Sequence, residues 1–165
     1  MAQDPYDELA TPLGHFIVAF NGLEVALGGA LMRLLKHDDE EIGAAFVAIL
    51  GFSHKHALLT ALAHKIPNQN TRTTFVGYLK EAKSINVSRN KYIHSEYISV
   101  LGEENEPLAF LHQRLKDSLK PNKASSMAAV FKAIQPVNPE DLTELANDAS
   151  SLALNILTLS ERFHQ

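Results

Sequence analysis

Apolar residues recur every three or four positions along several stretches of the chain, which is the spacing of one face of an α-helix. The first such stretch covers residues 13–35. We expect Thr11 to cap this helix and Pro12 to take its first position, where a missing N–H costs nothing. The predicted core face consists of Leu13, Phe16, Phe20, Leu23, Leu27, Leu31 and Leu34.

The first helix is long enough to span a bilayer if hydrophobicity alone is considered. However, Asn21, Glu24 and Arg33 interrupt the apolar run, and no flanking basic residues would orient it. We therefore interpret it as the core helix of a bundle, with no membrane contact. Its small residues predict a closely packed neighbour. They are Gly22, Gly28, Gly29 and Ala30.

Three further helices are predicted before residue 98. The second starts from a cap at Asp38 or Asp39 and runs through Leu50. The third is capped by Ser53 and runs from residue 54 to residue 66, where Pro67 ends it. A polar loop then leads into a long helix from Thr71 to about Tyr97.

The predicted inner stripe of this long helix carries two asparagines among apolar residues. At 100° per residue, Arg89 lies on one edge of the stripe and His94 on the other, about 140° apart. The stripe consists of Phe75, Leu79, Ala82, Asn86, Asn90, Ile93 and Tyr97.

The pattern changes after Tyr97. Residues 97–101 and 108–111 surround a polar turn and predict a small hairpin, followed by irregular chain with one short helix at 126–134. Asn138 and Pro139 then predict the cap and first position of a last helix. Its expected inner face is Leu142, Leu145, Ala149, Leu152, Ile156, Leu159 and Phe163.

These patterns together predict one domain over residues 1–165 with an all-α, mainly helical fold. We expect an antiparallel helical bundle of about four long helices, with a small hairpin or irregular insert at 98–135. The chain has no cysteine, which excludes disulfides and thiolate chemistry. Its first residues are acidic where a secretory signal would be basic, so we expect a cytoplasmic protein.

Charge is distributed unevenly along the chain. The formal net charge is −4, yet residues 53–94 carry seven basic residues and a single acidic one, together with four of the eight histidines. A local positive face on an acidic protein suits a polyanion bound at one place. The alternative is that basic and acidic segments face each other across the bundle.

The end of this basic block, residues 88–97, holds the densest group of chemically useful side chains. Arg89 is permanently charged and forked, so it can bind a phosphate and stabilise charge that builds there. His94 can take up or release a proton at neutral pH. Asn90 would orient one of these groups, and Lys91 would add positive charge.

The spacing Arg89-Asn90-x-x-x-His94, late in a long helix, resembles the R-x4-H signature of the HEPN superfamily, in which a polar residue commonly follows the Arg. The resemblance implies an all-α fold and a dimer that brings two motif helices together. In active members it implies cleavage of RNA without metal or other cofactor. The 140° between Arg89 and His94 favours a composite site made by two subunits.

This resemblance predicts an endoribonuclease with Arg89 and His94 as catalytic residues and Asn90 and Lys91 as supporting residues. We add Tyr97, and also Glu24 as a buried acid with a partner such as Arg89 or Asn90, to the supporting residues. The expected partners are RNA, a second copy of the chain and, for a toxin or defence protein, an antitoxin. The alternative function is a non-catalytic module that binds nucleic acid, nucleotide or protein.

A purely structural role for the same residues is also open. Arg89 would then pair with Glu24 or Glu96, His94 would be a hydrogen-bonded histidine at a helix edge, and Tyr92 and Tyr97 would pack. A metal site at His54, His56 and His64 is disfavoured because His54 and His56 lie about 200° apart on one helix.

Overall fold

The computed structural model describes residues 7–35, 40–101, 107–114 and 135–164. This part of the chain forms five helices, a 3-10 turn and three strands. The helices are α1 (Asp7–Leu35), α2 (Glu40–Ala48), α3 (Phe52–Leu62), α4 (Gln69–Ile93) and α5 (Pro139–Ser160). The 3-10 turn is Ala63–Lys65, and the strands are β1 (Ser95–Leu101), β2 (Pro107–Arg114) and β3 (Gln135–Val137).

The prediction of a mainly helical bundle is confirmed. One hydrophobic core joins α1, α3, α4 and α5, and α1 packs most extensively against α5. All but one of the predicted core residues of α1 are buried, and Leu13 is partly buried. The largest fully buried apolar side chains are Phe16, Phe75, Phe163, Leu23, Leu27, Leu31, Leu59, Ile66, Leu142 and Ile156.

Helix directions follow from the contacts at helix ends. Arg33, at the end of α1, bonds to Ser160 at the end of α5, so these two helices run the same way. Phe75, early in α4, packs on Phe163 just after α5, with ring centroids 4.8 Å apart. Helix α4 therefore runs antiparallel to α5, and the end of α4 meets the beginning of α1 and α5.

The predicted start of the first helix is wrong. Helix α1 begins at Asp7, so Thr11 is not its cap and Pro12 lies inside it. The earlier start buries Leu9, which is only 4% exposed, and places Asp7 and Glu8 in the first turn, where the helix dipole favours negative charge. These gains offset the one backbone hydrogen bond that Pro12 cannot donate.

The predicted cap of the third helix is also wrong. Gly51 is the N-cap of α3, and the helix begins at Phe52. The Phe52 ring is buried and packs on Phe20, with centroids 5.5 Å apart. This packing favours a helix that includes Phe52 and therefore begins one residue before Ser53. The proposed caps Asp38 and Asp39 of α2 lie outside the described residues.

Helix α4 begins at Gln69, with the side chain of Asn68 accepting a hydrogen bond from the Thr71 N–H at 3.0 Å. It ends at Ile93, earlier than predicted. Tyr97 is therefore not on its inner stripe but in β1, opposite His112 of β2. The run from Tyr97 to Val100 is rich in aromatic and β-branched residues, which favour a strand over a helix.

The buried stripe of α4 also differs from the prediction at its end. Ile85 and Tyr92 are buried there, while Asn86, Asn90 and Ile93 are half-buried. Burying an amide without partners is costly, so the helix turns its apolar residues inward instead. The face that α4 presents to α1 near its end therefore contains Arg89.

Strands β1 and β2 pair antiparallel, as the predicted hairpin requires, and β3 adds a third strand beside β2 that was not predicted. The short helix predicted at 126–134 lies outside the described residues. Helix α5 begins as predicted, with the Asn138 side chain accepting from the Glu140 N–H at 3.0 Å and Pro139 in the first turn.

Helix α1 is long and apolar enough to cross a membrane by length and composition. Of the 18-residue apolar window that meets this criterion, 44% is buried inside the bundle. Val18 and Val25 are its large exposed apolar residues, each 71% exposed. The expectation of a protein without membrane contact stays a prediction.

Candidate functional site

Arg89 lies half-buried on the side of α4 that faces α1. Its guanidinium carbon is 5.5 Å from the centroid of the Phe20 ring, and its Nη1 donates a hydrogen bond to Oδ1 of Asn90 at 3.1 Å. A cation over an aromatic face is attracted by the ring's quadrupole. The ring and the amide therefore fix where the guanidinium lies, and most of its N–H donors are left for another acceptor.

The charge of Arg89 is not neutralised by any side chain that the structure describes. Glu24, one of the partners considered, pairs with Lys55 at 3.7 Å instead. Glu96, the other, has a side chain outside the described set. Because a half-buried charge favours an opposite charge nearby, Arg89 is suited to bind an anion.

Glu24 is thus placed differently from its expected supporting role. Its carboxylate and the Lys55 ammonium form a largely buried pair, with 26% and 10% of the two side chains exposed. The pair ties α1 to α3. Lys55 belongs to the basic block by sequence, but it does not contribute to a positive surface.

His94 is the residue after the last turn of α4, not a member of the helix. Its backbone angles, φ −102° and ψ 30°, end the helix, and its side chain is exposed. Arg89 faces α1 while His94 faces solvent, so the two motif side chains leave α4 in different directions. The composite site that the expected separation of about 140° favours stays a prediction.

Asn90 and Lys91, which follow Arg89 in α4, have distinct surroundings. Asn90 is the hydrogen-bond acceptor of Arg89, and the Lys91 ammonium lies 5.3 Å from the centroid of the Tyr92 ring. The carbonyl of Lys91 accepts a hydrogen bond from the Ser95 hydroxyl, which covers a free carbonyl at the helix end. Of the four proposed supporting residues, Asn90 thus contacts Arg89 and Lys91 lies in the last turn of α4.

Tyr92 is a packing residue, as the structural alternative held. It is buried and meets the edge of Phe16, with centroids 6.5 Å apart and planes at 85°. Burial raises the pKa of its phenol, and the negative charge of Asp141 raises this pKa further. Tyr97 lies in β1, and its side chain is outside the described set.

Arg89 lies over the first of three aromatic rings that pack on one another, an arrangement that the sequence did not predict. The Phe20 ring contacts the guanidinium and also packs on Phe52. The Phe52 ring stacks on His56, with centroids 5.9 Å apart. His56 in turn bonds through Nε2 to the carbonyl of Leu79 in α4 at 3.0 Å. The spacing of apolar residues predicts that Phe20 belongs to the core. Its contact with the Arg89 guanidinium is visible only in the fold.

The three histidines that were considered as a metal site do not converge. His56 bonds to Leu79, His64 bonds through Nδ1 to the carbonyl of Ala61 at 2.7 Å, and His54 is exposed. Within the described ranges, no group of three or more His, Asp or Glu residues is placed to hold a metal ion.

Among the described residues, two clefts open between helices. One of about 340 Å³ lies between α4 and α5 and is lined by Glu81, Ser84, Ser88 and Asp148 among others. Another of about 610 Å³ lies between the starts of α1 and α5. Neither is lined by Arg89 or His94, so the candidate site is a surface site.

Comparison with protein-family models, with curated proteins and with solved structures finds no match for this chain.

Proposed function

We propose that the protein is a HEPN-like endoribonuclease that cleaves RNA without a metal ion, at a site formed by two subunits. The observation that carries the proposal is the state of Arg89. It is half-buried, held by the Phe20 ring and the Asn90 amide, and not paired with a carboxylate among the described side chains. A fixed, unpaired guanidinium is a suitable binding group for the scissile phosphate.

The chemistry assigned to the site is attack of a ribose 2′-oxygen on the neighbouring phosphorus. The 2′-hydroxyl gives up its proton, the new oxygen–phosphorus bond forms, and the bond to the 5′-oxygen breaks. The products are a 2′,3′-cyclic phosphate and a 5′-hydroxyl, so no external water is consumed. Arg89 stabilises the charge on the phosphate, and His94 transfers a proton at the 2′- or 5′-oxygen.

A composite site accounts for the different directions of the two side chains. Arg89 of one subunit would bind the phosphate while His94 of the other subunit approaches the attacking or leaving oxygen. A twofold axis produces two such sites, each built from both chains. The proposed enzyme is therefore a homodimer.

Purified protein incubated with labelled single-stranded RNA in EDTA tests the activity. We expect the wild type to cleave, and Arg89→Ala and His94→Ala each to lose at least about 100-fold in rate, as is typical when a general acid–base or a charge-stabilising group is removed. His64→Ala and Arg162→Ala, which alter an exposed histidine and an exposed arginine elsewhere, are the controls. Cleavage that persists in both site variants, or no cleavage by concentrated wild type, would overturn the proposal.

Mixing the two inactive variants tests the composite site. Subunits that exchange at random give about half heterodimers, and each heterodimer has one complete site of two, so about a quarter of wild-type activity should return. If each chain holds its own complete site, the mixture stays inactive. This outcome would refute the shared site while leaving the nuclease activity intact.

The same Arg89 geometry also suits a second function, a non-catalytic module that binds a phosphate-bearing ligand. In that case wild type binds RNA without cutting it, and Arg89→Ala weakens binding whereas His94→Ala does not.

The toxin role with an antitoxin partner stays a prediction. It requires that production of the wild type in cells arrest their growth and that production of His94→Ala not do so.

A further inference from the structure

Helix α4 has a second face, directed to solvent, that leads towards His94. Positions 80, 83, 87 and 91 follow one another at spacings of three and four and form one stripe along the helix, and position 94 continues this spacing just after the helix ends. They are Lys80, Lys83, Val87, Lys91 and His94. We call these five residues the lysine stripe.

The side chains of the lysine stripe are available to a partner. Lys80, Lys83 and His94 are exposed, Val87 is 57% exposed and Lys91 is half-buried. Among the described residues, neither Lys80 nor Lys83 forms an ion pair, in contrast to the buried Lys55 of the same basic block. The positive charges of the stripe are therefore not neutralised within the described part of the chain.

No acidic residue interrupts the stripe. The single acidic residue of α4 is Glu81, which is turned away and lines the cleft between α4 and α5. Three lysines thus follow one side of the helix without a carboxylate between them. Such an uninterrupted line of one charge is suited to a polyanion.

We propose that the lysine stripe binds the backbone of a single-stranded RNA and leads it to His94. The inference rests on the proposed nuclease function and names its substrate class. From residue 80 to its end at residue 93 the helix rises about 20 Å, the length of roughly six stacked nucleotides. Phosphates along the strand contact Lys80, Lys83 and Lys91, and the exposed Val87 offers an apolar surface to an unstacked base.

A single strand fits this face better than a duplex does. Attack by the 2′-oxygen requires that oxygen, the phosphorus and the 5′-oxygen to lie nearly in line, which a flexible strand reaches and a stacked A-form helix does not. The stripe is also only one helix wide, whereas recognition of double-stranded RNA spans two minor grooves. The stripe therefore predicts cleavage within loops and unpaired regions.

Salt dependence of binding tests the proposal without relying on cleavage. The probe is a labelled single-stranded oligonucleotide with 2′-O-methyl riboses, which lacks the attacking hydroxyl, and its affinity is measured at several KCl concentrations. For single strands the slope of log affinity against log salt is about 0.7 per phosphate contact, so Lys80→Gln/Lys83→Gln should reduce the slope by about 1.4. The matched control is Lys65→Gln/Arg162→Gln, which removes two exposed cations elsewhere and should leave the slope unchanged.

The outcomes separate this proposal from the nuclease function. If the stripe variant keeps the wild-type slope, or if polyglutamate binds wild type as tightly as the oligonucleotide does, the stripe is not an RNA-binding face. If the slope falls as expected but the wild type cleaves no RNA, the proposed nuclease activity is refuted, whereas RNA binding by the lysine stripe is supported. Because Lys80 and Lys83 are exposed, unchanged circular dichroism and thermal melting should accompany the loss of binding.

Discussion

Two glycines in α1 illustrate how local space decides the effect of a substitution. A Cβ added at Gly28 would meet Cγ1 of Val47 in α2 at 3.0 Å, whereas one added at Gly22 would meet nothing within 4 Å. Replacing Gly by Ala normally stabilises a helix interior by about 1 kcal/mol. The close approach of α2 to α1 thus depends on the missing side chain at Gly28.

We expect Gly22→Ala to raise the free energy of unfolding by about 0.5–1 kcal/mol and Gly28→Ala to show none of that gain. Urea denaturation of the two variants measures the difference. Val47→Ala, at a buried position, should cost less stability in the Gly28→Ala background than in the wild type, because it also removes the contacting methyl group. Equal stabilisation by both Ala variants would contradict the placement of α2.

Tyr92 gives the protein a predicted dependence on alkaline pH. Its pKa is raised in the folded state by burial and by Asp141, so folding favours the neutral phenol. The stabilisation of the folded state by the neutral phenol is complete below the unfolded pKa of about 10. It is lost as the pH rises through the pKa of the folded state, by at most about 1.4 kcal/mol per pH unit.

Stability of wild type and Tyr92→Phe measured from pH 8 to pH 11 tests this dependence. The wild type should lose stability above pH 10 more steeply than Tyr92→Phe, which has no ionisable phenol at that position. The comparison uses slopes, so a difference in packing between the Tyr and Phe side chains that does not vary with pH cancels. Identical slopes would mean that Tyr92 ionises in the folded state as freely as in water.

At the scale of secondary-structure elements, α1 and α5 are held together at their ends by a polar cluster. Nη1 of Arg33 donates to the Ser160 hydroxyl at 2.6 Å, and that hydroxyl donates to the Leu157 carbonyl at 2.8 Å. Ser160 is only 1% exposed, and His164 Nε2 lies 2.9 Å from the Arg33 carbonyl. Removing the hydroxyl therefore leaves a charged donor without its short contact.

We expect Ser160→Ala to lower the free energy of unfolding by about 1.5–3 kcal/mol, the range for hydrogen bonds to charged groups. Ser150→Ala, in the same helix but exposed, is the control and should change it by less than about 0.5 kcal/mol. A double-mutant cycle with Arg33→Gln should show coupling between the two residues. Additive effects would mean that the contact contributes nothing of its own.

Sequence periodicity predicted the faces of the elements better than their ends. The inner faces of α1 and α5 follow directly from spacing, because each lies against the core along its whole length. The start of α1 and the end of α4 were misjudged, since burial of Leu9 and pairing of β1 with β2 are tertiary effects. Strand β3 has three residues, too few for a pattern to be recognised.

The site was predicted only as a list of residues. Spacing identified Arg89, Asn90 and His94, but it could not show that Glu24 pairs with Lys55 or that Phe20 carries the guanidinium. Partner choice depends on how helices pack, and spacing within one helix does not contain that information. The backbone of Tyr97 lies in β1, outside the helix on which it was placed.

At the scale of the whole molecule, the proposed composite site makes activity depend on association. Sedimentation should give a mass near twice the 18.2 kDa of one chain at concentrations where RNA is cleaved. Activity per chain should then fall on dilution, as dimers dissociate. Constant activity per chain in a solution shown to contain only monomers would exclude a site shared between subunits.

The pairing of the first helix with the last also determines when the protein can fold. The bond between Arg33 and Ser160 joins residues 127 positions apart. At about 5–20 residues per second, a ribosome needs roughly 6–25 s to synthesise the intervening chain. During that interval the apolar face of α1 has no α5 to cover it. We therefore expect nascent chains to depend on holding chaperones, and refolding to be slow for a helical protein because its largest helix interface is also its most distant in sequence.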